Sequence, residues 1–157
     1  MNAKALVALA TARGLRIATA ESCTGGMIAA AITDSAGSSA IFGYGFVTYA
    51  NEAKTSMLGV DSDVIAAEGA VSEAVARAMA AGALQNSGAD LAVAVTGIAG
   101  PDGGSALKPV GTVWFGLAKR GAMGIAERVV FPGDRAAIRA ATVDHALRLL
   151  MTAMTAS

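Results

Sequence analysis

Two nucleophile types stand side by side, Ser22 and Cys23, in the segment TAESCTGG at residues 19–26. A short strand candidate, RIATA at 16–20, leads into them, and Thr24, Gly25, Gly26 and an apolar helical run follow. A strand, a glycine turn and a helix start bring backbone N–H groups to one point, where they bind an anion or stabilise an oxyanion. The same pattern also makes a tight turn needed only for packing. The segment TYANEAK, 48–54, puts Tyr49 before a helix start and Lys54 in its first turn. A helix N-terminus favours acids, so a lysine there is either a solvated surface residue or a working base with a lowered pKa.

The loop Thr96, Gly97, Ile98, Ala99, Gly100 through Gly103 and Gly104 is the most glycine-rich of the chain. Its backbone can approach a ligand closely, or it is simply a long hairpin-like connection. It is neither a P-loop nor a dinucleotide fingerprint, since both patterns are absent. In PGDRAAIR, 132–139, Asp134 can cap the final helix, and Arg135 and Arg139 lie one turn apart. An arginine beside helix-start N–H groups suits a phosphate; a capped surface helix is the other reading.

Two patterns are discounted. Ser105 and Lys108 match S-x-x-K, but that pattern needs a helix, and Pro109 disfavours helical geometry at Lys108. His145, the only histidine, falls in the middle of the last helical run near Ile138 and Leu149, where a packing or surface role fits better than catalysis. One cysteine excludes an internal disulfide, and one Cys with one His cannot build a usual zinc site, so no metal is expected.

The elements that must carry these residues alternate. Helix is expected over 2–13, closed by Gly14, then a strand at 16–20 and a helix running to residue 33. IFGYGFVTYA, 41–50, has strand composition, and Asn51 can cap a short helix ending at Gly59. Ser72 can cap a longer helix to about Asn86, with Val75, Met79 and Ala83 at helical spacing. DLAVAVT, 90–96, is a continuous apolar run and reads as a central strand. The runs 111–118 and 124–131 look like paired strands, and Ala140, Val143, Leu147, Leu150 and Met154 stripe a final helix. The alternation argues for an α/β layered sheet with at least one antiparallel hairpin near the end. The chemistry-bearing segments then fall at strand carboxyl ends, where open α/β sheets bind ligands.

Bulk composition narrows the function. At 157 residues, one domain spanning 1–157 is the expectation. Apolar residues make up 54% and aromatics only 4%, which suits closely packed helices and tight turns. Twelve basic and twelve acidic residues cancel, which argues against nucleic acid as a partner. No run reaches the roughly 18 apolar residues of a membrane span. ALVALATA, residues 5–12, imitates a short signal-peptide core, but its leader holds one lysine, so an amphipathic first helix and a cytoplasmic location are expected. Strand edges and the stripe on the last helix are compatible with a homo-oligomer, a dimer first.

The blocks TAESCTGG, GFVTYANEAK, GAVSE, TGIAGPDGG and KPVGTVWFGLA, in this order and nearly end to end, resemble the C-terminal domain of the competence/damage-inducible CinA family. The length is similar to that of its stand-alone members, which are nicotinamide-nucleotide amidohydrolases, and not to that of members with an extra N-terminal domain. The resemblance implies a single-domain three-layer α/β/α fold with a mixed sheet. It implies hydrolysis of the nicotinamide mononucleotide carboxamide to nicotinate mononucleotide and ammonia, within pyridine nucleotide recycling. It further implies no cofactor and no metal, with Ser22 as nucleophile, Tyr49 and Lys54 assisting, and the TGIAGPDGG and PGDR loops binding the nucleotide substrate. The residues agree: an amide needs an activated nucleophile, a proton for its leaving amine and a home for the oxyanion. Without a usable histidine, serine with lysine is the remaining familiar route. Some members of the broader family are associated with competence and recombination, so a nucleotide- or protein-binding module without turnover is the alternative.

Overall fold

The apolar run at 90–96 becomes the middle strand of a single five-stranded sheet. The computed structural model describes residues 2–156. In chain order the elements are α1 (Lys4–Arg13), β1 (Ile17–Glu21), α2 (Met27–Thr33), β2 (Phe42–Val47), α3 (Asn51–Leu58), α4 (Ser62–Glu68), α5 (Glu73–Ser87), β3 (Leu91–Gly97), β4 (Thr112–Lys119), β5 (Ile125–Val130) and α6 (Arg135–Thr155). The strand order is β2-β1-β3-β4-β5. β1 runs parallel to both β2 and β3, while β3–β4 and β4–β5 are antiparallel, so the sheet is mixed.

Side-chain size differs between the two faces. From β3, Leu91, Val93 and Val95 enter a core with Leu6, Ile28, Phe115, Leu147 and Leu150, under the layer of α1, α2 and α6. Each such aliphatic side chain contributes about 1.5–3 kcal/mol by leaving water. On the opposite face Ala92 and Ala94 join Ala18, Ala20, Val75, Met79 and Ala80 under α3, α4 and α5. The alanines let α5 lie close to the sheet. At Gly116 of β4 a Cβ would overlap the Ala76 carbonyl of α5, so only glycine fits that approach. The result is a single-domain three-layer α/β/α fold.

Local signals place most helix ends. Gly14 closes α1 in the left-handed region, Ser72 Oγ accepts from Val75 N, and an Asp134 carboxylate oxygen accepts from Ala137 N. Four readings need correction. Asn51 does not cap α3; Ala50 holds the cap position in extended conformation, and Asn51 is the first helical residue. The strand expected at 41–50 ends at Val47: Thr48 N donates to Glu21 O as the last bond beside the Glu21–Val47 pair, and the chain then leaves the sheet to enter α3 at Asn51. Helix α4, capped by Asp61, was not anticipated; seven residues are too few to show a helical period. On α6 the buried stripe is Ile138, Thr142, Ala146, Leu147, Leu150 and Met154, while Ala140 is exposed. The stripe residues are buried against the sheet and α1, while Val143 is half-buried. Among the described residues no helix is long and apolar enough to cross a membrane.

Candidate active site

Antiparallel β4 reverses the chain, so β1, β2, β3 and β5 all direct their carboxyl ends to one edge of the sheet. The chain passes from β1 to β2 on one side, then crosses to β3 on the other. A crevice opens between such diverging connections. Ser22 follows β1 at this point, with its N–H donating to Val95 O of β3 at 3.1 Å. Gly97 ends β3 alongside it, and a Cβ there would crowd Val113 and stand 3.2 Å from Cys23 Sγ.

The start of α2 does not present its N–H groups to a ligand. Glu21, fully buried, fills that position. Its Oε1 accepts from Thr24 Oγ1 at 2.6 Å and Ile28 N at 2.8 Å, and its Oε2 accepts from Ala29 N at 3.0 Å. The helix-start amides that the sequence offered to an anion are thus held by the chain's own carboxylate, which the helix dipole favours there.

Lys54 is not a solvated surface residue. It is only 1% exposed, and its side chain reaches from α3 to the residue that follows β1. Its Nζ donates to Ser22 Oγ at 3.0 Å, to Thr48 O at 3.0 Å and to Tyr49 O at 3.3 Å. Burial lowers its pKa below the ordinary 10.5, and the nearby Cys23 and Glu52 oppose that shift in part. Burial also pushes the Cys23 thiol up to about 11, against the pull of its own backbone N–H, Arg139 and Lys54. The neutral thiol is therefore the ground state near pH 7.

Tyr49 meets Lys54 through its main-chain carbonyl alone. Its ring is 62% exposed, and its phenol oxygen accepts from Arg135 Nη2 at 3.2 Å. Arg135 Nη1 also donates to Gly100 O at 2.7 Å, tying the start of α6 to the glycine loop.

A cavity of about 280 Å³ occupies the crevice. Of the residues singled out in the sequence, Ser22, Tyr49, Gly97, Ile98, Ala99, Gly100, Gly103 and Arg135 line it. Cys23 and Asp102 also line it; Asp102 lay inside the expected loop but drew no separate signal. Thr24, Gly25, Gly26, Thr96 and Gly104 do not. Thr24 is turned to Glu21, Thr96 Oγ1 donates to Ala70 O at 2.8 Å, and Gly104 packs against Val110 on the outer side of the loop. The two discounted patterns lie elsewhere. Lys108 Nζ donates to Glu68 O, and His145 packs on Phe115 and Phe131 with Glu127 as polar partner. Among the described residues no cluster of three or more His, Cys, Asp or Glu could hold a metal ion.

The CinA C-terminal domain model matches residues 1–154 of this chain. The nicotinamide-nucleotide amidohydrolase PncC of Escherichia coli K12 is 57% identical over 139 residues, covering 88% of this chain and 84% of that protein. A longer relative from Symbiobacterium thermophilum is 59% identical over 146 residues, and the chain spans only 34% of its length. The crystal structure of the competence/damage inducible protein CihA from Agrobacterium tumefaciens superposes with a TM-score of 0.94 at 49% identity. That match covers 98% of this chain and 93% of the other.

Proposed function

The chain belongs to the CinA C-terminal domain family, and on that premise we propose that it hydrolyses the carboxamide of nicotinamide mononucleotide to nicotinate mononucleotide and ammonia. The observation that carries the reading is the 3.0 Å contact between Lys54 Nζ and Ser22 Oγ on the wall of a cavity that also holds Arg135. The PncC proteins supply the substrate by their similarity to this chain.

In this reading neutral Lys54 takes the Ser22 proton as Oγ attacks the carboxamide carbon. The N–H of Cys23, the residue after the nucleophile, receives the oxyanion, as at other nucleophile turns. Tyr49 accepts from Arg135, which leaves its own O–H free to donate a proton to the departing amine. Loss of ammonia leaves an ester on Ser22, with the proton from Ser22 on Lys54 and Tyr49 as phenolate; water in the cavity carries that proton from Lys54 to Tyr49 and restores both. Water then attacks the ester as neutral Lys54 takes its proton and passes it to the departing Ser22 Oγ, releasing the carboxylate and restoring the serine. Arg135 faces the phosphate, whose charge and acceptor oxygens suit a guanidinium.

Ammonia release from nicotinamide mononucleotide by the purified protein tests the proposal. Tight binding of the nucleotide with no ammonia would replace it with a non-catalytic nucleotide-binding module.

A further inference from the structure

We propose that Arg139 is a positioning residue for Ser22, acting through the backbone of the nucleophile turn and not on the ligand. This rests on the reading of Ser22 as the nucleophile. Arg135 and Arg139 lie one turn apart on α6, and the sequence pointed to the arginine beside the helix start, Arg135, for phosphate. The structure separates them: Arg135 lines the cavity, and Arg139 does not.

Arg139 reaches the turn from the opposite end of the chain. Its Nε donates to Cys23 O at 3.1 Å and its Nη2 donates to Thr24 O at 3.3 Å. Within the turn, Gly25 N donates to Ser22 O and Met27 N to Thr24 O, both at 3.1 Å. Three successive carbonyls, of Ser22, Cys23 and Thr24, are thereby tied down. Fixing three consecutive peptide planes leaves the dihedrals that aim Ser22 Oγ and Cys23 N–H little freedom. The Cys23 carbonyl, outside both helix and sheet ladders, takes its hydrogen bond from Arg139. A guanidinium fork suits the task, since it meets two carbonyls in one plane where an ammonium is a point donor.

The platform beneath Arg139 is rigid. Its neighbours along α6, Ile138 and Thr142, are buried, and Thr142 Oγ1 donates back to Ile138 O. Glu21 grips the same turn from the other side through Thr24, Ile28 and Ala29. Nucleophile geometry is thus set by one acid and one arginine, neither of which lines the cavity.

The test compares Arg139→Ala and Arg139→Lys with the full-length wild type by amide hydrogen exchange and by ammonia release from nicotinamide mononucleotide. Exchange should speed up at Gly25 and Met27 in both variants while the sheet amides keep their wild-type rates. Turnover number should fall about a hundredfold in Arg139→Ala with KM held within about twofold. Added guanidinium should restore part of that loss, and methylammonium at equal ionic strength should not. A raised KM with unchanged turnover number would make Arg139 a ligand contact and overturn the proposal. Wild-type exchange in the turn of both variants would overturn it as well, as would full activity in Arg139→Lys. If Arg139→Ala fails to fold, Arg139→Lys carries both measurements. If the wild type releases no ammonia, the amidase reading fails, and the exchange result still decides whether Arg139 holds the turn.

Discussion

Lys54 and Ser22 are 32 residues apart in the chain and meet at 3.0 Å between Nζ and Oγ. The other two partners of Lys54 are the carbonyls of Thr48 and Tyr49, which can only accept. When Lys54 is neutral, its two hydrogens satisfy those carbonyls and its lone pair is left facing the hydroxyl. Burial, which lowers its pKa, makes that neutral state accessible.

Ser22→Ala should therefore abolish turnover while folding normally, and Cys23→Ala should keep most of it. Cys23 lines the same cavity, but its thiol is pushed up to about 11 and no histidine stands beside it. Steady-state ammonia release on both variants, with thiol alkylation of the wild type as a control, checks the assignment. Residual activity in Ser22→Ala that vanishes when Cys23 is also replaced would reverse it.

Lys54 should give activity a rising limb with pH, since the reaction uses the deprotonated amine. Lys54→Arg should be inactive, because a guanidinium does not deprotonate. Stability follows the same group. Below the lowered folded pKa both folded and unfolded chains carry the proton, and this group adds no pH dependence. Between that value and 10.5 only the unfolded chain is protonated, so stability rises with pH through that window and levels off above it. Denaturant midpoints of the wild type measured across the window should climb relative to those of Lys54→Met. Parallel profiles would mean that Lys54 titrates normally.

Tyr49→Phe should leave Lys54 in place, because the contact is made by the Tyr49 carbonyl. Loss of the phenol should lower turnover number by roughly a hundredfold if it supplies the amine's proton. Arg135→Ala should instead raise KM for the mononucleotide, since a phosphate contact is made in ground and transition states alike. Free nicotinamide should be a much poorer substrate for the wild type, with little further loss in Arg135→Ala. Equal specificity constants for the two compounds would exclude phosphate recognition.

Glu21→Ala should destabilise the fold by about 2–3 kcal/mol, because it strands the N–H groups of Ile28 and Ala29 and the Thr24 hydroxyl without their acceptor. Chemical denaturation reads the loss directly. A change within experimental error would show that the turn closes on other acceptors.

The sequence by itself determined the elements whose signals are local. A run such as LAVAV declares a strand covered on both faces, and caps at Gly14, Ser72 and Asp134 sit beside the helices they end. It also put the serine turn, the TYANEAK segment and the glycine loop at strand carboxyl ends, because strand and helix periods alternate around them. Short α4 escaped, and α6 was read with its stripe out of phase at Ala140, since a few alanines leave the period ambiguous. Tertiary structure alone decided the rest. Whether Lys54 faced water or Ser22 depended on how α3 packs against α4 and α5, which sets where its side chain reaches. Whether the α2 amides met a ligand or Glu21 depended on a carboxylate folding back along its own turn. Arg135 and Arg139 look alike in sequence, and their partners lie 35 and 86 residues away for one and 116 and 115 for the other. Contacts of that range form only once the sheet has brought the strand ends together, so no local pattern records them.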